Sequence, residues 1–195
     1  THQPVEQVAS LRLIPGLDVW RPCDALETAV AWHSAVQASD RPSALILSRQ
    51  TVPAEPRSTP AETVARGGYV YADSGQPQAV IIATGSEVAL AAQVLACLAD
   101  EGIAVRLVSM PCVEAFERQS PDYRAEVLPP ELPKLAIEAG VTAGWWRYVG
   151  RNGRVIGLDR FGESAPAPDL FAHFGFTPEA VEIGRAACRE RVEVS

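Results

Sequence analysis

Ala79-Val80-Ile81-Ile82-Ala83-Thr84-Gly85-Ser86-Glu87 is the stretch that decides the fold. Residues 79–83 form an unbroken apolar run, the pattern of a strand covered on both faces. Thr84 to Glu87 make the turn out of it, with Ser86 placed to cap the helix that follows. Val88, Ala91, Ala92, Leu95 and Leu98 fall on one helical stripe, and Gly102 supplies the stop. Ile103 to Val108 then reads as a second strand. Strand, helix and strand in this order predict a parallel pair joined by a crossover helix.

The same alternation continues downstream. Leu135-Ala136-Ile137 and Val155 to Leu158 read as two further strands, Phe171 to Phe174 as a helix, and Pro178 as the opening of a last helix. The fold class is therefore α/β, a parallel or mixed sheet with helices on both faces. Upstream, residues 51–68 contain Pro53, Pro56, Pro60, Gly67 and Gly68 with few apolar residues between them, the texture of an interdomain linker. The second unit begins near Tyr69. Ahead of the linker, Asp24-Ala25-Leu26-Glu27 has the form of a capping box. Leu26, Ala29, Val30, His33 and Val36 follow it at helical spacing. Ala44 to Leu47 reads as a buried strand with Ser48-Arg49-Gln50 at its carboxyl end, so a further α/β unit precedes the main one.

Bulk properties narrow the function classes. The chain has 195 residues, 47% of them apolar and 21% charged, a balance that supports a packed core. Net charge is −7 with both signs interspersed, and no basic stripe invites nucleic acid. The longest apolar run is far short of a bilayer span, so no membrane partner is expected. Cys23, Cys97, Cys112 and Cys188 form no C-x-x-C pair and no histidine stands at metal-ligand spacing, which reads as reduced thiols of a cytoplasmic protein. The Gly85 turn lacks both G-x-G-x-x-G and a P-loop lysine, and no G-x-S-x-G elbow occurs.

Arg49 and His2 are the residues whose chemistry could exceed packing. Open α/β sheets bind ligands beyond the carboxyl ends of their strands, and a guanidinium there can grip a phosphate through two parallel N–H donors. The alternative is an arginine paired with a surface carboxylate. His2 has the proton affinity for hydrogen bonding or proton transfer near neutrality, although a single histidine beside a chain end carries no site by itself. His33 reads as a core or surface histidine, His173 as packing among Phe171 to Phe176, and Trp145-Trp146 as a helix anchor.

Several stretches, in order, resemble the transketolase family. They are Thr1-His2-Gln3-Pro4-Val5-Glu6-Gln7 continuing to Leu11-Arg12-Leu13-Ile14-Pro15, Trp20-Arg21-Pro22-Cys23-Asp24, and Ala44-Leu45-Ile46-Leu47-Ser48-Arg49-Gln50. Arg66-Gly67-Gly68-Tyr69-Val70, Ala83-Thr84-Gly85-Ser86-Glu87, Glu138-Ala139-Gly140 and Phe161-Gly162-Glu163-Ser164-Ala165-Pro166 follow. The resemblance covers residues 1 to about 181. It implies that residues 1–52 close a pyrimidine-binding domain, 53–68 are a linker and 69–181 are the C-terminal domain. It also implies transfer of a two-carbon ketol unit between sugar phosphates, thiamine diphosphate and Mg²⁺ as cofactors, and a cytoplasmic homodimer. His2 matches a catalytic histidine that hydrogen-bonds the sugar near the reacting carbon, and Arg49 an arginine that binds the sugar phosphate. Ser48 and Gln50 are left as structural.

The family's diphosphate motif, Mg²⁺ ligands and ring-activating glutamate lie upstream of such a segment, so no cofactor- or metal-binding residue is assigned here. The isolated chain is expected to be inactive. Residues 182–195, from Glu182-Ile183-Gly184-Arg185 onward, depart from the family and resemble a translated sequencing adapter, a non-native tail. Two other readings stay open. One is a sister thiamine enzyme such as dihydroxyacetone synthase; the Thr-His-Gln element weighs against 1-deoxyxylulose-5-phosphate synthase. The other is a non-catalytic dimerisation or regulatory module.

Overall fold

The computed structural model describes residues 3–53 and 58–181. His2 and the 182–195 segment lie outside the described residues.

The first part runs α1 (Gln7–Arg12), β1 (Asp18–Trp20), α2 (Ala25–Gln37) and β2 (Ser43–Leu45). The two strands pair in parallel, Asp18 opposite Ser43 and Trp20 opposite Leu45. Asp24 caps α2 by accepting from the Glu27 N–H at 2.9 Å. Glu27 reaches back as a capping box requires, but to the N–H of Cys23 at 2.7 Å, one residue beyond the cap. The apolar stripe of α2 is split. Val30 and Ala31 are buried, whereas Ala29, His33 and Val36 are exposed. The strand expected to be buried at Ala44 to Leu47 is only half-buried and stops at Leu45, with Leu47 exposed. Among the described residues β2 has β1 as its only strand partner, so its outer side is uncovered.

The proline-rich segment contains a helical turn of its own, α3 (Ala61–Val64). Val64 is fully buried against Val30 of α2 and Tyr69, and so ties the connection to both sides.

The second part is a five-stranded mixed sheet in the order β3-β5-β4-β6-β7. Its strands are β3 (Tyr69–Asp73), β4 (Val80–Ala83), β5 (Arg106–Ser109), β6 (Lys134–Ile137) and β7 (Arg154–Ile156). β4, β5, β6 and β7 are parallel; β3 adds an antiparallel edge beside β5. Alternate residues of the apolar strands face opposite sides. Ile81, Ala83, Leu107 and Ile137 pack under α4 (Glu87–Asp100), together with Phe171 and Phe174 of α8 (Ala167–Phe174). Val80, Ile82, Val108 and Ala136 pack against Phe116 of α5 (Val113–Glu117), Val127 of α6 (Pro121–Val127) and Val149 of α7 (Trp146–Val149). Helices on both faces are thus required by strands apolar on both faces. Residues 178–181 are helical, as Pro178 predicts.

Two local readings are corrected. Ser86 stands at the N-cap position of α4, but its side chain makes no capping bond; its hydroxyl donates instead to the Glu87 carboxylate at 2.6 Å. His173 is exposed rather than packed in a core, with its ring edge on Phe174 and Nε2 3.3 Å from Glu163. Among the described residues no helix is long and apolar enough to cross a membrane.

Candidate functional site

In an open α/β sheet, ligands bind where neighbouring strands send their connections in opposite directions. Here that point lies between β4, which leads to β5 on one side, and β6, which leads to β7 on the other. The residues leaving the two carboxyl ends are Thr84-Gly85-Ser86-Glu87 and Glu138-Ala139. Both place a buried carboxylate in the crevice, Glu87 at 0% exposure and Glu138 at 3%.

The first part of the chain fills this crevice. Arg21, which follows β1, donates from Nη1 to Glu87, to Glu138 Oε1 at 3.3 Å and to the Thr84 carbonyl at 3.2 Å. Arg12, the last residue of α1, makes a two-pronged pair with Glu138 at 2.7 and 3.0 Å. Trp145 Nε1 donates to Glu138 at 2.6 Å, and the Arg12 guanidinium lies 5.4 Å from the centre of the Trp145 ring. The Ala139 N–H donates to Glu87 at 3.1 Å. Gly85 has φ +58° and its missing side chain leaves room for Arg21, whose atoms would stand 3.0 Å from a Cβ there.

The electrostatics close within this group. Burial works against the charged form of Arg21, but Glu87 and Glu138 outweigh it and its pKa is raised. Burial pushes the Glu138 carboxyl up, and the guanidiniums of Arg12 and Arg21 more than reverse this, holding it below the ordinary range. Every charge is compensated by an opposite one, the condition under which buried ions are tolerated.

This arrangement does not fit a diphosphate or its metal. The switch-point crevice is occupied by guanidiniums, and its carboxylates would repel an anion. Among the described residues no group of His, Cys, Asp and Glu is arranged to hold a metal ion. What the crevice can do is dock the first part of the chain.

Two further contacts serve that docking. Glu27, fully buried in α2, accepts from Tyr69 Oη at 2.8 Å and Ser109 Oγ at 2.6 Å, both from the sheet. Asp18 of β1 pairs with both terminal nitrogens of Arg118 at 2.7 and 2.6 Å.

Of the sequence-predicted site residues, Arg49 is described and His2 is not. Arg49 is exposed, in a bend past the carboxyl end of β2. Because β1 and β2 are parallel, the same end of the pair carries Arg21, and the Ile46 N–H donates to the Trp20 carbonyl at 2.8 Å. Arg49 therefore extends from the strand ends at which an α/β domain offers ligand contacts. Sequence reasoning missed the buried group of Arg12, Arg21, Glu87 and Glu138. The available signal was that each charged residue directly borders an apolar segment within a family-like stretch. Trp145 is buried as a helix anchor should be, while Trp146 is half-exposed.

Comparison with known proteins decides the family. Residues 67–177 match the model of the transketolase-like TK C-terminal domain, and residues 1–55 match that of the transketolase pyrimidine-binding domain. The chain belongs to the transketolase family. It is 53% identical over 184 residues to transketolase 2 of Vibrio parahaemolyticus, covering 93% of this chain and 28% of that protein. It is 55% identical over 182 residues to the plasmid transketolase of Cupriavidus necator, covering 93% of this chain and 27% of that one. Among solved structures, transketolase from Leishmania mexicana superposes with a TM-score of 0.88 at 43% identity, covering 96% of this chain and 28% of that chain. A Pichia stipitis transketolase in complex with sedoheptulose-7-phosphate has a TM-score of 0.88 at 38% identity, covering 96% and 27%. The chain thus spans little more than a quarter of the length of the transketolases it matches.

Proposed function

We propose that this chain is the closing part of a transketolase, which moves a two-carbon ketol unit from a ketose phosphate to an aldose phosphate. The observation that carries the reading is the joint match to a pyrimidine-binding and a C-terminal transketolase domain, in order, on one chain. In this reading residues 1–52 end the pyrimidine-binding domain, 53–68 connect, and 69–181 form the C-terminal domain. Thiamine diphosphate, with Mg²⁺, supplies the carbanion chemistry and is held by other parts of a cytoplasmic homodimer of the pentose phosphate pathway. That one neighbour was solved with a sugar phosphate bound supports sugar phosphates as the substrates here.

The roles within the chain follow from chemistry. Arg49 clamps the phosphate of the sugar through two parallel charge-assisted hydrogen bonds, which its exposed position past a strand end permits. His2 hydrogen-bonds the sugar near the reacting carbon; a neutral imidazole donates from one nitrogen and accepts at the other. In this reading the buried Arg–Glu group serves assembly and not substrate binding. It joins the domain that carries these residues to the C-terminal sheet.

The test uses residues 1–181 grafted in place of the matching part of the Cupriavidus transketolase. Arg49→Ala in the graft should raise KM for a phosphorylated ketose donor by about 10- to 100-fold, and KM for the same sugar without its phosphate by much less. Equal effects on both donors would remove Arg49 from phosphate binding.

A further inference from the structure

A second opening lies at the amino end of β6, the opposite end of that strand from the crevice that docks the first part of the chain. It is a cavity of about 570 Å³ walled by α5, α6, α7 and the segment entering β6. Small-molecule sites typically measure about 300–1,000 Å³. Its floor is apolar, from Phe116, Leu128 and Val149. Its charged lining is Arg124, Lys134 and Arg147 with Glu117. Three cations thus face one carboxylate, a local positive excess in a chain whose net charge is −7. In the crevice at the carboxyl ends every charge meets an opposite one; here the balance is left open.

The one carboxylate is shared. Arg124 Nη1 donates to Glu117 at 2.9 Å, and Arg147 Nη2 stands 3.7 Å from the other oxygen. Arg147 also donates to the Tyr148 hydroxyl at 2.5 Å and lies 4.8 Å from the centre of that ring, contacts that hold the guanidinium without neutralising it. Arg124 Nε is buried and has no hydrogen-bond partner among the described residues, so this guanidinium keeps an unused donor. Lys134 is 7% exposed, and its ammonium donates to the carbonyls of Leu132 at 2.8 Å and Pro130 at 3.4 Å. Carbonyls hold the group but supply no full charge. Burial outweighs the attraction of exposed Glu131 and lowers the Lys134 pKa. An anion beside a buried ammonium favours its charged form.

We infer that this cavity binds a small organic phosphate, a monoester whose dianion is held by Arg124, Arg147 and Lys134 and whose carbon body rests on the floor of Phe116, Leu128 and Val149. A phosphate monoester carries about −1.5 to −2 charges near neutrality, which matches the excess of the lining. The planar fork of a guanidinium suits two phosphate oxygens at once, and an ammonium adds a point charge. The lining runs from Phe116 to Gly150, wholly within the C-terminal domain. The inference goes beyond the ketol-transfer reading and does not depend on it.

The experiment titrates the whole 195-residue chain with phenyl phosphate, and with phenol as its uncharged counterpart, at about 0.15 M salt, following backbone amide shifts by NMR. Phenyl phosphate should saturate with a Kd below about 1 mM and move amides between residues 116 and 150, and phenol should bind at least about tenfold more weakly. Arg147→Gln and Arg124→Gln should each weaken phenyl phosphate about 5- to 20-fold. Glu117→Gln should tighten it at least about threefold, because the two guanidiniums lose their competitor for the anion; a cluster that serves packing alone predicts no gain. Arg160→Gln, at an exposed arginine of the same domain, should change nothing. Where one arginine variant does not fold, the other and Glu117→Gln decide. Equal binding of phenol would reduce the cavity to an apolar cleft and refute the anion site. Tighter binding of succinate than of phenyl phosphate would overturn the assignment to phosphates. Equal losses in Arg160→Gln and Arg147→Gln, or shifts spread over the whole surface, would mean unspecific ion pairing and refute the site.

Discussion

Arg12 and Glu138 stand 126 residues apart and meet as a two-pronged ion pair at 2.7 and 3.0 Å. The pair joins α1 to the carboxyl end of β6, and with Arg21 and Glu87 it fills the crevice where an open sheet of this topology would take a ligand. The C-terminal domain thus uses its binding edge to hold its neighbour. Removing one member leaves the others buried and uncompensated. Glu138→Gln should destabilise the chain by about 3–5 kcal/mol, read as a shift in urea midpoint. A loss below about 1 kcal/mol would mean that water or another carboxylate replaces it.

The same group predicts the acid response. The carboxyl of Glu138 has a folded-state pKa below its unfolded value. Its contribution is complete above the unfolded value of about 4.3 and is lost as pH falls through the folded one. Stability should therefore fall with acid below that point, and Glu138→Gln should flatten this part of the profile. An unchanged slope in the variant would contradict the assignment.

Cysteine reactivity should be uneven. Cys23 and Cys112 are buried and Cys97 is exposed. Burial, and then the charge of Glu114, pushes the Cys112 thiol up. Iodoacetamide at pH 8 followed by peptide mapping should label Cys97 at least about tenfold faster than Cys112. Comparable rates would show that α5 opens readily.

Protection against hydrogen exchange should follow the sheets. β4 lies between β5 and β6 with apolar layers on both faces, whereas β2 is half-buried in a two-stranded pair. Amides of Ile81 and Ile82 should exchange at least about tenfold more slowly than those of Ala44 and Leu45 in the isolated chain. Equal protection would mean that the first part gains its full order from the docking contacts alone.

Much of the sheet is legible in the sequence because apolar runs such as Val80 to Ala83 admit few other structures. The α4 stripe and the Gly102 stop are legible for the same reason. β1 is not, because three residues, Asp18 to Trp20, cannot display a period. The antiparallel edge β3 is not, because direction depends on where the chain returns and not on side-chain pattern. Glu27 is the instructive case. Its spacing from Asp24 reads as local capping, yet its carboxylate also accepts from Tyr69 and Ser109 of the distant sheet. Arg49 was found through its place after a strand-like run, whereas Arg12, Arg21, Glu87 and Glu138 acquire their meaning only when four separate segments meet.

Service in a transketolase is the role proposed for residues 1–181. Its most direct measurement is ketol transfer by the Cupriavidus enzyme carrying residues 1–181 in place of its own matching part. The account predicts turnover within about tenfold of the unaltered enzyme, since the docking contacts lie inside the grafted segment. A graft that folds, binds thiamine diphosphate and still transfers no ketol unit would contradict it.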